Sequence, residues 1–180
     1  MHSNGPEPVG STFVPGHFIK VIDAASMQLV DSIRVSDAPG ALTALAGRLF
    51  AICVGAGSVS PKIFQIDPGD NGIEDSLQIT GSVSDIATDG HSLFVLSSSF
   101  VSKYGVGPLR PLAPGFIGRA TGIFFYALAI DASTGDIYVS NIISTGGSGQ
   151  VEIYSPLGLS KRLPVASGIF PGAFAFKTGS

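Results

Sequence analysis

Residues 108–126, PLRPLAPGFIGRATGIFFY, bring two arginines, three prolines and four aromatic side chains into one short stretch. Aromatic rings beside a guanidinium can hold a planar or anionic ligand, the rings supplying contact area and the cation supplying charge. The stretch is also the longest irregular insertion the sequence suggests, and long loops on rigid scaffolds often carry binding. Tyr104, Arg110, Arg119 and Tyr126 are therefore the predicted ligand contacts. The plainer reading, that these aromatics pack between neighbouring sheets, outweighs it.

Other chemistry-bearing residues point to structure. The acidic run from Asp67 to Asp75 places Asp67, Asp70, Asn71, Glu74 and Asp75 close together, but position 12 counted from Asp67 is Gln78. An EF-hand loop needs a bidentate Glu there, so an Asx-rich hairpin turn is the expectation. His2, His17 and His91 share no metal-ligand spacing with one another or with Cys53, and no metal or other cofactor is expected. Cys53, the single cysteine, sits in the apolar run 50–54 as a small buried hydrophobe. No G-x-S-x-G elbow is present. Ser97-Ser98-Ser99 joins two predicted strands, and Gly146 to Gly149 precedes a strand where a phosphate cradle would open a helix. No catalytic constellation emerges.

The elements that must position these residues are short strands. Residues 126–131 are rich in strand formers, 131–136 hold Asx, hydroxyl and Gly turn residues, and 137–139 begin a return strand. A third strand follows at 150–154, and a fourth ends near Val165. Four sequential antiparallel strands make a propeller blade. The pattern recurs: Leu49-Phe50, Leu93-Phe94 and Ile137-Tyr138 stand 44 positions apart, and Ile22-Asp23 returns at the same interval as Ile66-Asp67. That period lies in the range of propeller blades. Further strands are predicted at 11–14, 18–23, 28–35, 41–45, 48–54, 62–67, 76–80, 83–87, 92–97 and 101–104. Residues 170–176 read as an innermost strand without its return partner. Paired with 11–14, 18–23 and 28–35 as strands two to four, this last strand would complete one blade from both termini.

Three stretches, 129–141, 149–158 and 169–176, resemble the YncE-like (YVTN) propeller proteins, and look closest to surface-exposed propeller lipoproteins of Gram-negative gut bacteria. Residues 18–26, FIKVIDAAS, match the same strand, Asp, turn signature. The resemblance spans residues 17–176 and rests on strand and turn motifs. It implies an extracytoplasmic protein at the cell surface or in the periplasm that captures a small molecule such as a glycan or corrinoid-like ligand. The chain departs from the resemblance in length, since such proteins usually have seven blades, and in lacking the lipidation cysteine near a lipoprotein's start.

Composition sets the remaining bounds. The chain of 180 residues is 44% hydrophobic and 13% charged, which argues against disorder and for much of the length buried in sheets. A net charge of −3 with Lys and Arg scattered singly gives no footprint for nucleic acid. No apolar run approaches the roughly 18 residues of a membrane span, and the first residues carry no basic or apolar leader pattern. The expectation is an all-β propeller of about four blades of four antiparallel strands, or a fragment or half of a larger ring, over residues 11–180 after a flexible arm at 1–10. A homodimer completing a larger ring follows from that count. The expected function is non-enzymatic ligand or nutrient binding; the alternatives are a lactonase-like hydrolase and a protein–protein interaction scaffold.

Overall fold

The computed structural model describes residues 16–119, 122–144, 146 and 148–176, with the backbones of three short strands before them. Among these residues there is no helix. Backbone proximity divides the chain into two compact units, Met1–Val83 and Ser84–Ser180.

In the first unit, β1 (His2–Ser3), β2 (Glu7–Val9), β3 (Thr12–Val14), β4 (Phe18–Ile22) and β5 (Leu29–Arg34) come first. They form a three-stranded sheet in the order β1-β4-β5 and a separate β2-β3 ladder. The expected second strand at 11–14 is thereby corrected: Thr12–Val14 pairs back onto Glu7–Val9, and His2–Ser3 lies beside β4. A pairing between strands this near in sequence closes a shorter loop than the predicted one. Next, β6 (Pro39–Leu45), β7 (Arg48–Cys53), β8 (Lys62–Ile66) and β9 (Ile73–Gln78) form an antiparallel four-stranded sheet in sequence order. Ala46 and Gly47 join β6 to β7 with φ of 51° and 75°, the mirror-turn geometry whose twist matches a hairpin. Phe50, Ala51, Ile52 and Cys53 are all buried, which is why β7 reads as an unbroken apolar run. Ile19, Ile33, Val35, Ala51, Cys53, Phe64 and Ile66 make one core cluster. Burial pushes the Cys53 thiol up to about 11, with the Asp37 carboxylate adding to the effect.

In the second unit, β10 (Asp85–Thr88), β11 (Leu93–Leu96), β12 (Phe100–Val106) and β13 (Leu109–Gly118) form one four-stranded sheet, and β14 (Phe124–Ile130), β15 (Ile137–Ile142), β16 (Gly149–Tyr154) and β17 (Val165–Ala166) form another. Leu49-Phe50, Leu93-Phe94 and Ile137-Tyr138 all lie in second strands, so the 44-residue period is one sheet long. Ile22 and Ile66 end β4 and β8, which assigns β4 to the third position of its sheet. β14 packs on β10 and β11, and Phe94, Leu96, Val101, Ile117, Phe125, Leu128, Ile137, Val139 and Tyr154 share a core. Fully burying a side chain of this size contributes about 1.5–3 kcal/mol.

Aspartates close the turns. Asp23 Oδ1 accepts from Ser26 N–H and Oγ, Asp67 Oδ1 from Gly69 N–H, and Asp131 Oδ1 from Ser133 N–H and Oγ. The side-chain hydroxyl of Ser26 and then its amide hold Asp23 below the usual carboxylate range, and Ser133 does the same for Asp131. The strand, Asp, turn signature is therefore turn chemistry: the carboxylate accepts the amides that a two-strand reversal leaves unpaired. The acidic run at 67–75 belongs to this device, with Asp70 Oδ1 accepting from Gly72 N–H and Glu74 paired to Arg48 at 2.6 Å.

Candidate functional site

The predicted insertion at 108–126 is mostly strand. Leu109–Gly118 forms β13, the outer strand of its sheet, and the connection to β14 is short. An outer edge tolerates Pro111 and Pro114 because one side of the strand needs no amide donors. Register shifts around Lys103 absorb the irregularity, and Ser102 Oγ accepts from Gly115 N–H at 3.0 Å.

The four predicted contacts fall on β12, β13, β14 and the residue just after β13. Tyr104 is buried on β12, and burial raises its phenol pKa while the Ser102 hydroxyl pulls it down. Arg110 is exposed near the start of β13, paired across the hairpin to Gly105. Arg119 follows the end of the same strand, its N–H on the Ser99 carbonyl while Arg110 stands opposite Gly105, so the two guanidiniums are rooted six partner residues, roughly 20 Å, apart. One small ligand does not span them. Phe116 and Phe125 pack as the plainer reading expected, Phe116 edge-on to Phe94 at 5.8 Å and Phe125 in the shared core.

Arg119 and Tyr126 flank the connection from β13 to β14. The Arg119 Nη1 donates to the Gly122 carbonyl, and its Nε is buried without a partner among the described residues. Gly122 has φ of +87°, and a Cβ there would lie 2.3 Å from Asn141 Oδ1, so only glycine lets this turn approach β15. Tyr126 is 43% exposed on β14. Its ring meets Phe124 at 6.2 Å and Phe170 at 5.6 Å, both edge-on. Alternation along β14 puts Phe124 and Tyr126 on the same face.

The last sheet has two unlike faces. Towards β10–β13 it buries Leu128, Val139, Asn141, Glu152 and Tyr154. The Glu152 carboxylate accepts from Asn141 Nδ2 at 2.7 Å, from Gln150 Nε2 at 2.8 Å and from the Tyr154 hydroxyl. Burial first, and Glu152 as acceptor second, push the Tyr154 phenol far above its usual range. A half-buried carboxylate, Asp85, receives Leu128 N–H at 3.0 Å and Ile86 N–H at 2.9 Å and so ties β10 to β14. Both acids are occupied with holding strands together. The other face carries Tyr138, Ser140, Ile142 and Ile153 and is overlaid by residues 168–176. A Cβ on Gly149 would lie 2.7 Å from the Pro171 ring, so glycine admits the segment. Beside it, Asp136, Tyr138, Ile153, Lys161 and Arg162 line an open cleft of about 230 Å³, with Lys161 Nζ 2.6 Å from Asp136 Oδ2. No sequence motif marks this cleft, because Lys161 and Arg162 stand far along the chain from the Tyr138 they flank.

No protein-family model and no curated protein matches the chain. Solved structures do. Kuenenia stuttgartiensis hydrazine synthase is similar over 93% of this chain and 51% of its own at 15% identity, TM-score 0.70. The Myceliophteria thermophila Cps50 (Swd1) β-propeller domain is similar over 87% and 51% at 14% identity, TM-score 0.66. A nidogen/laminin complex structure is similar over 84% and 62% at 11% identity, TM-score 0.58. The sheets are blades of a β-propeller. At such identities the likeness is one of fold, and the chain spans about half the length of the first two structures.

Proposed function

We propose that the chain is a non-enzymatic binding scaffold whose docking surface is the apolar C-terminal stretch of the last blade. The observation that carries this reading is exposure: Leu157 is 76% exposed, Leu159 66%, Leu163 87% and Ile169 62%. Single exposed apolar residues are ordinary, but a run of them in one segment favours a protein partner. The neighbouring cleft, about 230 Å³, is below the roughly 300–1,000 Å³ of most small-molecule sites. The test is association and dye binding. The wild-type chain should bind an apolar fluorescent dye and self-associate or take up a partner with rising concentration, and the combined Leu157→Ser, Leu159→Ser, Leu163→Ser variant should lose both. A wild-type chain that stays monomeric and binds no dye defeats the proposal.

Capture of a small ligand is the second reading, supported by the buried Nε of Arg119 and the exposed ring of Tyr126. It fits the YncE-like resemblance and, with it, an extracytoplasmic placement. Titration with cyanocobalamin and with acidic oligosaccharides checks it: binding that Arg119→Gln and Tyr126→Ala weaken supports capture, and binding indifferent to both rules out this surface. Recovery of the native chain in the cytoplasmic fraction would overturn the placement.

A further inference from the structure

The outer strand of the last sheet is interrupted at one place. Ser160 stands opposite Tyr154, Lys161 N–H donates to the Ile153 carbonyl at 2.9 Å, and Val165 and Ala166 pair with Val151 and Gln150, but Arg162, Leu163 and Pro164 enter no ladder. Pro164 has no N–H to give, so pairing lapses here, and Leu163 is left 87% exposed. Residues 159–166 are all exposed. The gap falls beside a loosely held cation. Lys161 is tied by its amide and by its ammonium, 2.6 Å from Asp136 Oδ2, whereas the exposed Arg162 guanidinium makes no ion pair among the described residues. The other described Lys and Arg are held differently. Lys20, Arg34, Arg48, Lys62, Lys103 and Arg110 all stand within ladders, and Arg119 has its N–H on the Ser99 carbonyl and its Nη1 on the Gly122 carbonyl.

An endopeptidase takes its substrate as an extended strand laid along its cleft, with the side chain before the scissile bond in a specificity pocket, and a carboxylate at the base of that pocket selects Lys or Arg. Such a substrate must be exposed over several residues and free of ladder bonds where it is cut. We propose that the Arg162–Leu163 bond is a proteolytic modification site for an endopeptidase of this basic-residue specificity, and that its cleavage loosens the segment lying over the last sheet. Leu163 follows the bond, and the nearest proline stands one place further on. Hydrolysis consumes one water: the bond between the Arg162 carbonyl carbon and the Leu163 nitrogen breaks, the carbon takes the oxygen and becomes a carboxylate, and the nitrogen takes the protons and becomes an amino terminus. The Ser160 hydroxyl, 3.3 Å from the Arg162 carbonyl, is the contact that the enzyme's own donors replace. Past the cut, residues 163–176 keep two residue pairs with β16, backbone bonds from Ser167 and Gly168 to Gly149 at 2.9 and 3.0 Å, and the rings of Phe170, Phe174 and Phe176 on Phe124, Tyr126 and Tyr138. A segment with few ladder bonds opens at low free-energy cost, and losing its tether at Arg162 lowers the local concentration that brings it back.

The test is limited digestion of the full folded chain with trypsin. The first cut should yield a new amino terminus at Leu163, read by mass spectrometry. Arg162→Gln, which alters an exposed side chain, should slow that cut about a hundredfold or more, because the carboxylate of the pocket loses its cation. In the nicked chain the amides of Gly149 and Ser167 should exchange with deuterium about tenfold faster, while those of β15 keep their rate. A chain that resists trypsin, or a first cut at any other bond, the one after Lys161 included, overturns the site. A cut before Leu163 that leaves exchange at Gly149 and Ser167 unchanged overturns the loosening.

Discussion

The two faces of the last blade are built from the same alternating strands and are sealed by different means. Towards β10–β13 the side chains meet a complete sheet, and even its polar members are satisfied: Glu152 collects three donors and Asp85 receives two amides from strand backbone. On the opposite face a single segment, 168–176, lies over Tyr138, Phe124 and Tyr126. The lesson is that alternation decides which residues turn inward, whereas the neighbour decides how firmly they are held. A completed sheet exchanges its strand amides for ladder bonds, whereas the added segment contributes ring contacts and a backbone bond at Gly168.

The largest effect should come from the sealed face. Glu152→Leu strips the acceptor from Asn141, Gln150 and Tyr154 inside a low-dielectric site, where each stranded donor costs about 1–3 kcal/mol. Urea denaturation should show a loss of about 3 kcal/mol, with Glu152→Gln losing less because an amide oxygen remains to accept. A loss under about 0.5 kcal/mol for the Leu variant would mean that the network adds nothing to the sealed face. On the opposite face Phe174→Ala should lose about 1–2 kcal/mol, well under the ~3–5 kcal/mol typical of a buried Phe, because Phe174 is only half-buried. Equal losses from the two substitutions would erase the distinction between the faces.

Much of this architecture was legible in the sequence. The 44-residue interval between Phe50, Phe94 and Tyr138 marks second strands because each carries a large ring at the same place in its sheet, and the Asp after Ile22 and Ile66 marks a reversal because its carboxylate caps the turn amides. The stretch 108–126 was misread for a physical reason: prolines and glycines signal irregular chain, but on an outer strand they cost no ladder bond. Asp85 gave no signal, since a carboxylate that bridges two sheets looks in sequence like any polar strand residue. Residues 170–176 read as an innermost strand, but what they lie on, the ring of Tyr138, is remote in sequence and carries no signal there. The cleft of Lys161 and Arg162 unites residues that are remote in sequence, and only folding brings them to Tyr138.

A smaller effect, visible as pH dependence, comes from the two turn and strand acids of the β10 region. Burial raises the Asp85 pKa above its ordinary value of 3.8, against the pull of the Leu128 and Ile86 amides. A carboxyl that holds its proton more tightly when folded contributes fully below the unfolded value, and that contribution is lost as pH rises through the folded one. Burial acts on Asp89 in the same direction, but the His91 and Ser92 amides and Lys103 outweigh it and leave its pKa lowered. Its contribution is therefore present above the unfolded value and lost as pH falls through the folded one. Between about pH 3 and pH 7 the stability of the wild type relative to Asp85→Asn should fall, and relative to Asp89→Asn should rise. Parallel trends would show that the amides, and not burial, govern both.

The smallest effect on stability should come from Leu163→Lys. Leu163 is 87% exposed, so the substitution removes almost no buried contact, and denaturation should place it within about 0.5 kcal/mol of the wild type. Association is a separate quantity. If the stretch 157–169 docks onto protein, a charge set in its middle must be desolvated on binding, and apolar dye binding should drop while the unfolding curve stays where it was. A variant that unfolds earlier would mean that Leu163 already packs on its own blade. One that neither unfolds earlier nor loses dye would leave the strip an ordinary surface, and would set the open face of the last blade apart from the sealed one only by its missing neighbour.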